Sequence, residues 1–401
     1  MILIRRIAIA YLLLVAVLTC LSFVAYTIPF DKVADNVAKS EEIILSENAR
    51  PWRIAFLKQD YFTDGLMLDV AVSGIGPYDD GLTNALLNPL LRPISDDAAS
   101  AGKKVALGID EDDNYTHYGR YWHGYLFPLR ILLCMTDLSG IRILNCILLW
   151  TLLFLNFLLL KKKIGLAPAV AFLACVGGIG LPPVAMSLQF SGCFYIMLLG
   201  VLFFATVPKL SSDLASIGCA MFVIGAVTSW VDLLTAPLLT LGIPLAVALM
   251  LNRNLKHKCN VAFKCILCWA LGYALIWASK WLLASVATDI NVLENALCQL
   301  KYRMIGETAP GSYIYRYLIC VFSFGSLIFA AILCSLKRFK PQFREYGYLI
   351  LIGLLPAVWF LVVYNHSVIH LWFAWRAAIV LLFCWSCFFI KCWPANHYYN
   401  K

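Results

Sequence analysis

The chain has 401 residues, of which 62% are hydrophobic and only 14% are charged, and its mean hydropathy is +0.79. A soluble domain of this length cannot cover so much apolar surface, so the composition excludes a water-soluble protein and indicates one dissolved in a bilayer. The formal charge of +9 does not indicate a nucleic-acid partner, because the basic residues stand in short clusters beside apolar runs.

About ten apolar runs are long enough to cross a membrane as helices. The sequence therefore predicts an all-α fold, a polytopic transmembrane helix bundle that needs the lipid bilayer as its partner. The predicted spans are 7–28, 139–160, 166–186, 189–207, 214–231, 234–251, 261–285, 314–336, 346–364 and 371–391. In this interpretation 1–28 is the first transmembrane helix, 29–138 is an external subdomain, 139–392 completes the bundle and 393–401 is a cytoplasmic tail.

The short basic connections predict the orientation of the chain. If the N-terminus is cytoplasmic and the spans alternate, every basic cluster falls on the cytoplasmic side, as the positive-inside rule requires. These clusters are Arg5 and Arg6, Lys161 to Lys163, Lys209, Arg253 to Lys264, and Lys337 to Arg344. All acidic residues except Asp213 and Glu345 then lie outside. We expect a multi-pass protein of a bacterial inner (plasma) membrane, with both termini cytoplasmic and any chemistry external.

The long external segment holds two closely spaced carboxylates, Asp60 and Asp64. If this piece is helical, the i, i+4 spacing puts both on one face, where they could hold a divalent cation or an acceptor hydroxyl between them. A solvated acidic turn is the alternative. Further along, residues 100–114 are predicted to be an exposed loop. The apolar stretch 121–135 is too short to span and is interpreted as an interfacial or re-entrant helix.

The stretch Tyr118 to Gly124 contains Arg120 and His123 among aromatic residues. An arginine can bind a phosphate through two parallel hydrogen bonds, and tyrosine or tryptophan rings can stack on a sugar. An ordinary aromatic belt at the membrane surface is the alternative. A belt explains the aromatic residues better than it explains the histidine.

The corner before the last span offers the strongest single signal in the sequence. His366 and His370 stand at i, i+4, a spacing at which they could ligate a metal, bind phosphate when protonated, or relay protons. Arg376 lies about one and a half turns into the final span. An arginine at that depth needs an anionic partner.

Further candidates lie at other loop boundaries. Asp232, at the end of a predicted span, either pairs with Arg376 or contacts substrate. Gln189, before the fourth span, is a lesser candidate. So are Arg303 and Glu307, which lie together in the loop before the eighth span.

Several motifs carry a resemblance to a family of bacterial multi-pass membrane proteins without an assigned activity. They are Phe62-Thr63-Asp64, Arg120 to Gly124, Asp232-Leu233-Leu234, and Asn365-His366-Ser367 with His370 and Arg376. The architecture is also similar to that of the GT-C superfamily of glycosyltransferases. That similarity implies a polyprenyl-phosphate-linked sugar donor and a carboxylate of the first external loop that activates the acceptor, here Asp64 or Asp60.

The resemblance implies a membrane glycosyltransferase that acts on a glycan or glycolipid acceptor at the external face during cell-envelope polysaccharide assembly. Asp64 would take the acceptor proton. The lipid phosphate would be held by Arg376, His366, His370, Arg120 and His123. Two alternatives stay open, namely a transporter or lipid-linked glycan flippase, and a non-catalytic membrane scaffold. Polar residues at the external ends of the spans favour surface chemistry over translocation.

Overall fold

The computed structural model describes residues 2–48, 59–73, 80–91, 115–307 and 312–392. The loop predicted at 100–114 and the tail predicted at 393–401 lie outside these ranges. The described part of the chain is almost entirely helical.

The N-terminal part combines one long apolar helix with shorter helices and a small sheet. Its helices are α1 (Ile2–Tyr26), α2 (Asp31–Asn48), α3 (Tyr61–Ser73) and α4 (Gly81–Leu87). Strand β1 (Pro89–Leu91) then pairs antiparallel with β2 (Tyr115–His117), with Leu90 opposite Thr116. The sequence predicted no strand here, because a three-residue strand is too short to show an alternating pattern.

The middle of the chain builds most of the bundle. Its helices are α5 (Leu126–Leu133), α6 (Leu138–Ile164), α7 (Leu166–Phe172), α8 (Leu181–Val184), α9 (Leu188–Thr206), α10 (Leu214–Val231), α11 (Leu238–Leu251) and α12 (Lys258–Ala287). A π-helical segment, Leu173–Gly180, joins α7 to α8, and a 3₁₀ turn, Pro208–Ser211, precedes α10. Helix α5 occupies the stretch predicted to be interfacial or re-entrant.

The C-terminal part adds one helix outside the predicted spans and the last membrane helices. They are α13 (Val292–Ile305), α14 (Tyr313–Ser335), α15 (Lys340–Gly353), α16 (Leu355–Val362), α17 (Tyr364–Ile369), α18 (Leu371–Ala374) and α19 (Ile379–Cys392). The 3₁₀ segments Lys337–Phe339 and Trp375–Ala378 extend two of these into longer helical runs. Helix α13 carries Arg303 in its last turn.

Within the described residues, eight helical runs are long and apolar enough to cross a membrane. They are Ile2–Tyr26, Leu138–Ile164, Leu188–Thr206, Leu214–Val231, Lys258–Ala287, Tyr313–Ser335, Lys337–Val362 and Leu371–Cys392. The predicted spans at 166–186 and 234–251 correspond to shorter apolar helices, Leu166–Gly178 and Leu238–Leu251. The all-α, polytopic membrane architecture expected from the sequence is therefore confirmed.

Aspartates fix where two of the long helices begin. Asp137 accepts the N–H groups of Ser139 and Gly140 at the start of α6, and Asp213 accepts the N–H of Ser216 at the start of α10. An aspartate at this position satisfies N–H groups that have no partner inside the helix. Both aspartates therefore act as local helix-start signals.

Helices α10 and α12 approach closely through two glycines. A Cβ atom on Gly225 would overlap the carbonyl of Trp269, and one on Gly272 would overlap the carbonyl of Phe222. Only glycine allows two membrane helices to bring their backbones so near each other. The crossing fixes α10, and with it the loop that follows α10 and carries Asp232.

The extramembrane helices share a core with the bundle. One buried apolar cluster combines Val37 of α2, Leu68 of α3, Leu129 of α5 and Ile141 of α6. Burial of these side chains is the main force that fastens α2 and α3 to the bundle. As a result, the polar side chains of α3 lie against the start of α9.

Candidate functional site

The loop between α10 and α11 holds a buried carboxylate, Asp232. Its Oδ1 accepts hydrogen bonds from the Thr235 N–H at 2.9 Å and from the Cys193 thiol at 3.3 Å, whereas Oδ2 accepts no well-formed hydrogen bond from the described part of the chain. The Thr235 hydroxyl and the Leu234 N–H lie close enough to act on the same carboxyl. Only 6% of Asp232 is exposed, and burial raises the pKa of its carboxyl to about 6. A buried, half-satisfied carboxyl with a pKa near neutrality is typical of functional sites.

His366 of α17 lies against the same loop. Its Nε2–H donates to the carbonyl of Leu234 at 3.0 Å, and its Nδ1 accepts from Nη1 of Arg303 at 2.6 Å. Because a carbonyl only accepts and a guanidinium only donates, the ring is neutral and carries its proton on Nε2. Burial and the charge of Arg303 hold the pKa of His366 well below its ordinary value. The cation of this cluster is therefore Arg303.

His370 extends the cluster by one ring. Its centroid lies 4.7 Å from that of His366, and it stacks on Phe373 at 5.0 Å. Burial and Arg303 lower the pKa of His370 to about 4. Both histidines are thus uncharged near neutral pH, which corrects the expectation of a protonated pair that binds phosphate. His366 also has no free nitrogen for a metal, whereas neutral His370 can still donate one N–H.

Arg376, in the 3₁₀ segment before α19, is only 1% exposed. Its Nη1 donates to the Phe373 carbonyl at 3.3 Å, but Nε and Nη2 have no partner among the residues that the structure describes. Its Cζ lies 3.9 Å from the ring centroid of Phe190. The negative charge of Asp60 favours the charged form of the Arg376 guanidinium. The pairing with Asp232 that the sequence left open is absent. A buried guanidinium with two unsatisfied donors is destabilising unless an anion binds there.

Asp64, in the first turn of α3, holds the beginning of α9. Its Oδ1 accepts from the Ser187 hydroxyl and the Gln189 N–H, each at 3.0 Å, and its Oδ2 accepts from the Leu188 N–H at 3.1 Å. The carboxylate therefore occupies the anion-binding position that a helix N-terminus offers. Burial raises the pKa of the Asp64 carboxyl to about 7.

Asp60 has a different partner from Asp64. It precedes α3 and caps it, with Oδ1 accepting the Thr63 N–H at 2.9 Å and Oδ2 accepting the Thr63 hydroxyl. Asp60 is 4% exposed and Asp64 is 1% exposed, so the alternative of a solvated acidic turn is excluded. The i, i+4 pair caps two different helices, and the assignment of either residue as a catalytic base stays a prediction.

The stretch from Tyr118 to Gly124 forms a tight internal turn. His123 donates from Nε2 to the Tyr118 carbonyl at 3.1 Å and accepts at Nδ1 from the Tyr125 hydroxyl at 2.9 Å, and burial lowers its pKa to about 3. A Cβ on Gly124 would overlap the ring of Trp230. These residues shape the turn, and His123 has no free nitrogen for the substrate contact that was predicted.

Arg120 stands at the edge of this turn and is half-buried. Its Cζ lies 5.6 Å from the ring centroid of Tyr121, and the Cζ of Arg303 lies 5.9 Å from the same centroid. The main-chain carbonyl of Arg120 accepts indole N–H groups from Trp277 at 2.7 Å and Trp281 at 2.9 Å. Tyr121 therefore connects Arg120 to the cluster of Asp232 and His366.

Lys280 of α12 is a fully buried cation that the sequence analysis missed. Its Nζ donates to the Ala85 carbonyl at 2.5 Å and to Oδ1 of Asn88 at 2.9 Å. The Ala85 carbonyl belongs to the last turn of α4, where the helix dipole favours a cation. Asn88 in turn donates to the Tyr26 hydroxyl at 2.8 Å. The signal was available, since a lone lysine within an apolar span marks a specific partner.

An apolar cavity of about 360 Å³ lies between α5, α6 and α9, and its lining includes Asp232 and the polar residues Asn145 and Gln189. Its apolar lining includes Leu129, Leu144, Leu148 and Ile196. Leu144 and Leu148 are partly exposed, so the outer wall of the cavity belongs to the surface of the bundle. The cavity thus joins the surface that faces lipid to a buried carboxylate.

The structure gathers most of the predicted residues into two neighbouring groups. One contains Asp232, His366 and His370 together with Arg303, and the other contains Asp60, Asp64 and Arg376. Phe373 lies between them, because it stacks on His370 and accepts a hydrogen bond from Arg376. Helix α9 also links the groups, since Cys193 contacts Asp232 and Gln189 contacts Asp64.

Among the residues that the structure describes, no group of three or more His, Cys, Asp or Glu side chains could hold a metal ion. The chain matches no protein-family model, no curated protein and no solved structure. A function is therefore inferred from the chemistry of the site.

Proposed function

We propose that this protein is a membrane glycosyltransferase of GT-C-like architecture. It would transfer a sugar from a polyprenyl-phosphate-linked donor to a glycan or glycolipid acceptor in cell-envelope assembly. The observation that carries the proposal is the apolar cavity that has the buried carboxylate of Asp232 on its lining. An isoprenoid chain is apolar and stays in the bilayer, so a cavity lined by leucine and isoleucine side chains suits it. The polar side chains on the same lining, Asp232, Asn145 and Gln189, suit the phosphate and the sugar.

The arginines of the site provide the chemistry for a lipid phosphate. Nε and Nη2 of Arg376 have no partner within the described ranges, and phosphate oxygens accept hydrogen bonds from two such nitrogens side by side. Arg303 uses Nη1 for His366 and retains other donors. Fixed cations beside the phosphate would stabilise the negative charge that it gains as its bond to the sugar breaks.

The transfer step requires a base. The acceptor hydroxyl oxygen bonds to C1 of the sugar, the bond from C1 to the phosphate oxygen breaks, and the polyprenyl phosphate leaves with the electron pair. The hydroxyl proton passes to a carboxylate, and the resemblance to GT-C enzymes assigns this role to Asp64 or Asp60. Hydrogen bonding favours Asp232 instead, because its Oδ2 accepts no well-formed hydrogen bond from the described residues, whereas both oxygens of Asp64 accept one. Such a base contributes about 10²–10⁴ in rate.

The proposed orientation puts the Asp232 end of the bundle outside a bacterial inner membrane. The basic loops, among them the one that holds Arg253 and Lys256, lie at the other end of α11. A cytoplasmic position for those loops agrees with the positive-inside rule. The sugar would then be transferred on the external face.

The test is binding of polyprenyl phosphate to the purified protein in nanodiscs. Leu148→Trp places a large ring in the cavity and is expected to weaken binding about tenfold. Leu267→Trp is the matched control, because Leu267 is similarly exposed but lies on α12, away from the cavity. No saturable binding by the wild type, or equal losses in the two variants, would refute the proposal.

A second assay separates the transferase from the flippase and transporter alternatives. Sealed proteoliposomes that contain the protein and a polyprenyl-linked sugar are supplied with acceptor on one side. A transferase consumes donor only in the leaflet that faces its site and moves no donor across the bilayer. Donor that becomes accessible from the opposite leaflet would favour the flippase instead.

A further inference from the structure

A second, polar cavity of about 840 Å³ lies at the opposite end of the bundle from Asp232. It is enclosed by the loop between α11 and α12, the start of α15 and the end of α19. Its basic lining residues are Arg253, Lys256, His257, Lys258, Arg344 and Lys391, and Glu345 is the carboxylate on its lining. We refer to this cavity as the basic cleft.

Hydrogen bonds to the main chain hold the basic cleft in shape. Asn252 donates to the carbonyls of Ser211 at 2.7 Å and Ser212 at 2.9 Å, which anchors the loop between α11 and α12. The Nζ of Lys258 donates to the Leu249 carbonyl at 2.8 Å. That contact fixes the lysine charge at the C-terminal end of α11, where the helix dipole favours it. The cleft is therefore a formed site and not a chance cluster of mobile side chains.

Among the described residues that line the basic cleft, five Lys and Arg side chains face a single carboxylate, Glu345. Arg253, Lys256 and Arg344 form no ion pair within the described ranges of the chain. Like charges around one cavity repel each other, and an anion between them removes that repulsion.

We infer that the basic cleft binds a phosphate group, supplied either by the headgroup of an anionic phospholipid or by free phosphate. Arginine binds phosphate oxygens in pairs, and lysine adds point charge. The cleft lies at the ends of helices that are long enough to cross the membrane, so it stands at the level of the headgroups. Basic pockets between such helices are known to bind anionic lipids. This site is separate from the transfer site and does not depend on the proposed function.

The experiment compares lipid binding by delipidated full-length protein in a neutral detergent, measured by native mass spectrometry and by the midpoint of thermal unfolding. The probes are phosphatidylglycerol, phosphatidylcholine and inorganic phosphate. The test variant carries Arg253→Gln, Lys256→Gln and Arg344→Gln, all at exposed positions. The matched control carries Lys161→Gln, Lys162→Gln and Lys163→Gln, which remove the same charge from the exposed end of α6.

Phosphatidylglycerol is expected to bind the test variant about tenfold more weakly than the wild type, and the control less than about twofold more weakly. Stabilisation by phosphatidylglycerol without stabilisation by inorganic phosphate identifies the lipid headgroup as the source. Equal stabilisation by both identifies free phosphate. Equal losses in the two variants, or no preference for phosphatidylglycerol over phosphatidylcholine together with no effect of phosphate, would overturn the inference. The single variant Lys256→Glu should show the same loss if the triple variant proves unstable.

Discussion

The guanidinium of Arg303 donates a hydrogen bond to the unprotonated Nδ1 of His366 at 2.6 Å, and this contact joins α13 to α17. The opposite nitrogen of the same ring donates to the Leu234 carbonyl in the loop that carries Asp232. A single imidazole therefore connects a helix outside the membrane spans to the buried carboxylate loop, and it can do so only in its neutral form.

Arg303→Gln is expected to raise the pKa of His366, because the positive charge that opposes protonation is removed. The pKa of His370 should rise too, since Arg303 also lowers it. Titration of isotope-labelled histidines by NMR measures both. His123 is an internal control, because burial and other cations, not Arg303, lower its pKa. An unchanged pKa at His366 would contradict this account of the cluster.

Asp232→Asn is expected to reduce sugar transfer about 10²–10⁴-fold while the protein still inserts and folds. The base acts in its ionised form and its pKa is about 6, so wild-type activity should rise with pH through about 6 and level off above. The control is Asp289→Asn, at an exposed position after α12. Initial rates between pH 5 and 8 provide the measurement, in a range set by that pKa. Full activity of Asp232→Asn would exclude this residue as the base.

Asp64→Asn is expected to act mainly on stability. The amide would turn a donor toward the N–H groups that start α9, so at least one of the three hydrogen bonds is lost. A loss of about 1–3 kcal/mol in the free energy of unfolding follows from an unsatisfied buried group of this kind. Thermal unfolding in detergent measures it, with Asp289→Asn as the control. A variant of unchanged stability that has lost transfer would instead support Asp64 as the base.

Arg376→Met is expected to stabilise the ligand-free protein and to abolish binding of polyprenyl phosphate. Two buried nitrogens of Arg376, Nε and Nη2, have no partner in the described part of the chain, and an apolar side chain of similar length removes that penalty. The midpoint of thermal unfolding should therefore rise without ligand and should no longer respond to added polyprenyl phosphate. Arg5→Met, at an exposed position in α1, is the control. A destabilised variant would show that the arginine is satisfied within the protein.

Gly272→Ala is expected to destabilise the protein by about 1–3 kcal/mol, because the added Cβ would overlap the Phe222 carbonyl across the crossing of α10 and α12. Gly325→Ala is a matched control. A Cβ at Gly325 would meet no atom within 4 Å, and alanine favours the helical state of α14. Comparison of thermal unfolding midpoints gives the result, and equal midpoints would contradict a close crossing.

The membrane helices could be predicted from the sequence because their signals are local. An apolar run of sufficient length is enough to predict a transmembrane helix. A helix start can also be predicted locally, because Asp213 lies directly before the helix that it caps. The two three-residue strands have no such local signal, because so short a stretch cannot show an alternating pattern. The exposed acidic turn suggested for Asp60 and Asp64 failed for a related reason, since burial depends on what the rest of the chain places around a segment.

The candidate site was predictable only in part. The sequence pointed to His366, His370 and Asp232 because ionisable residues at the ends of spans are unusual. Their partners were not predictable, since Arg303 is 63 positions from His366 and Ser187 is 123 positions from Asp64. Residue type and spacing therefore found the residues that matter, but the contacts that set their charge state arise from the tertiary fold.

The contact of Lys280 with α4 has a consequence for the order in which the protein assembles. The lysine is separated from Ala85 by 195 positions. Its hydrogen bond to the Ala85 carbonyl at the end of α4 can therefore form only after α12 has been synthesised. At ribosomal speeds of about 5–20 residues per second, the delay is about 10–40 s. During that time the Asn88 amide can donate a hydrogen bond to the Tyr26 hydroxyl, but its Oδ1 has no lysine from which to accept one. The C-terminal end of α4 then has no cation beside it. The segment around α4 is synthesised early, but its last hydrogen bonds form late, when Lys280 of the membrane helix α12 reaches it.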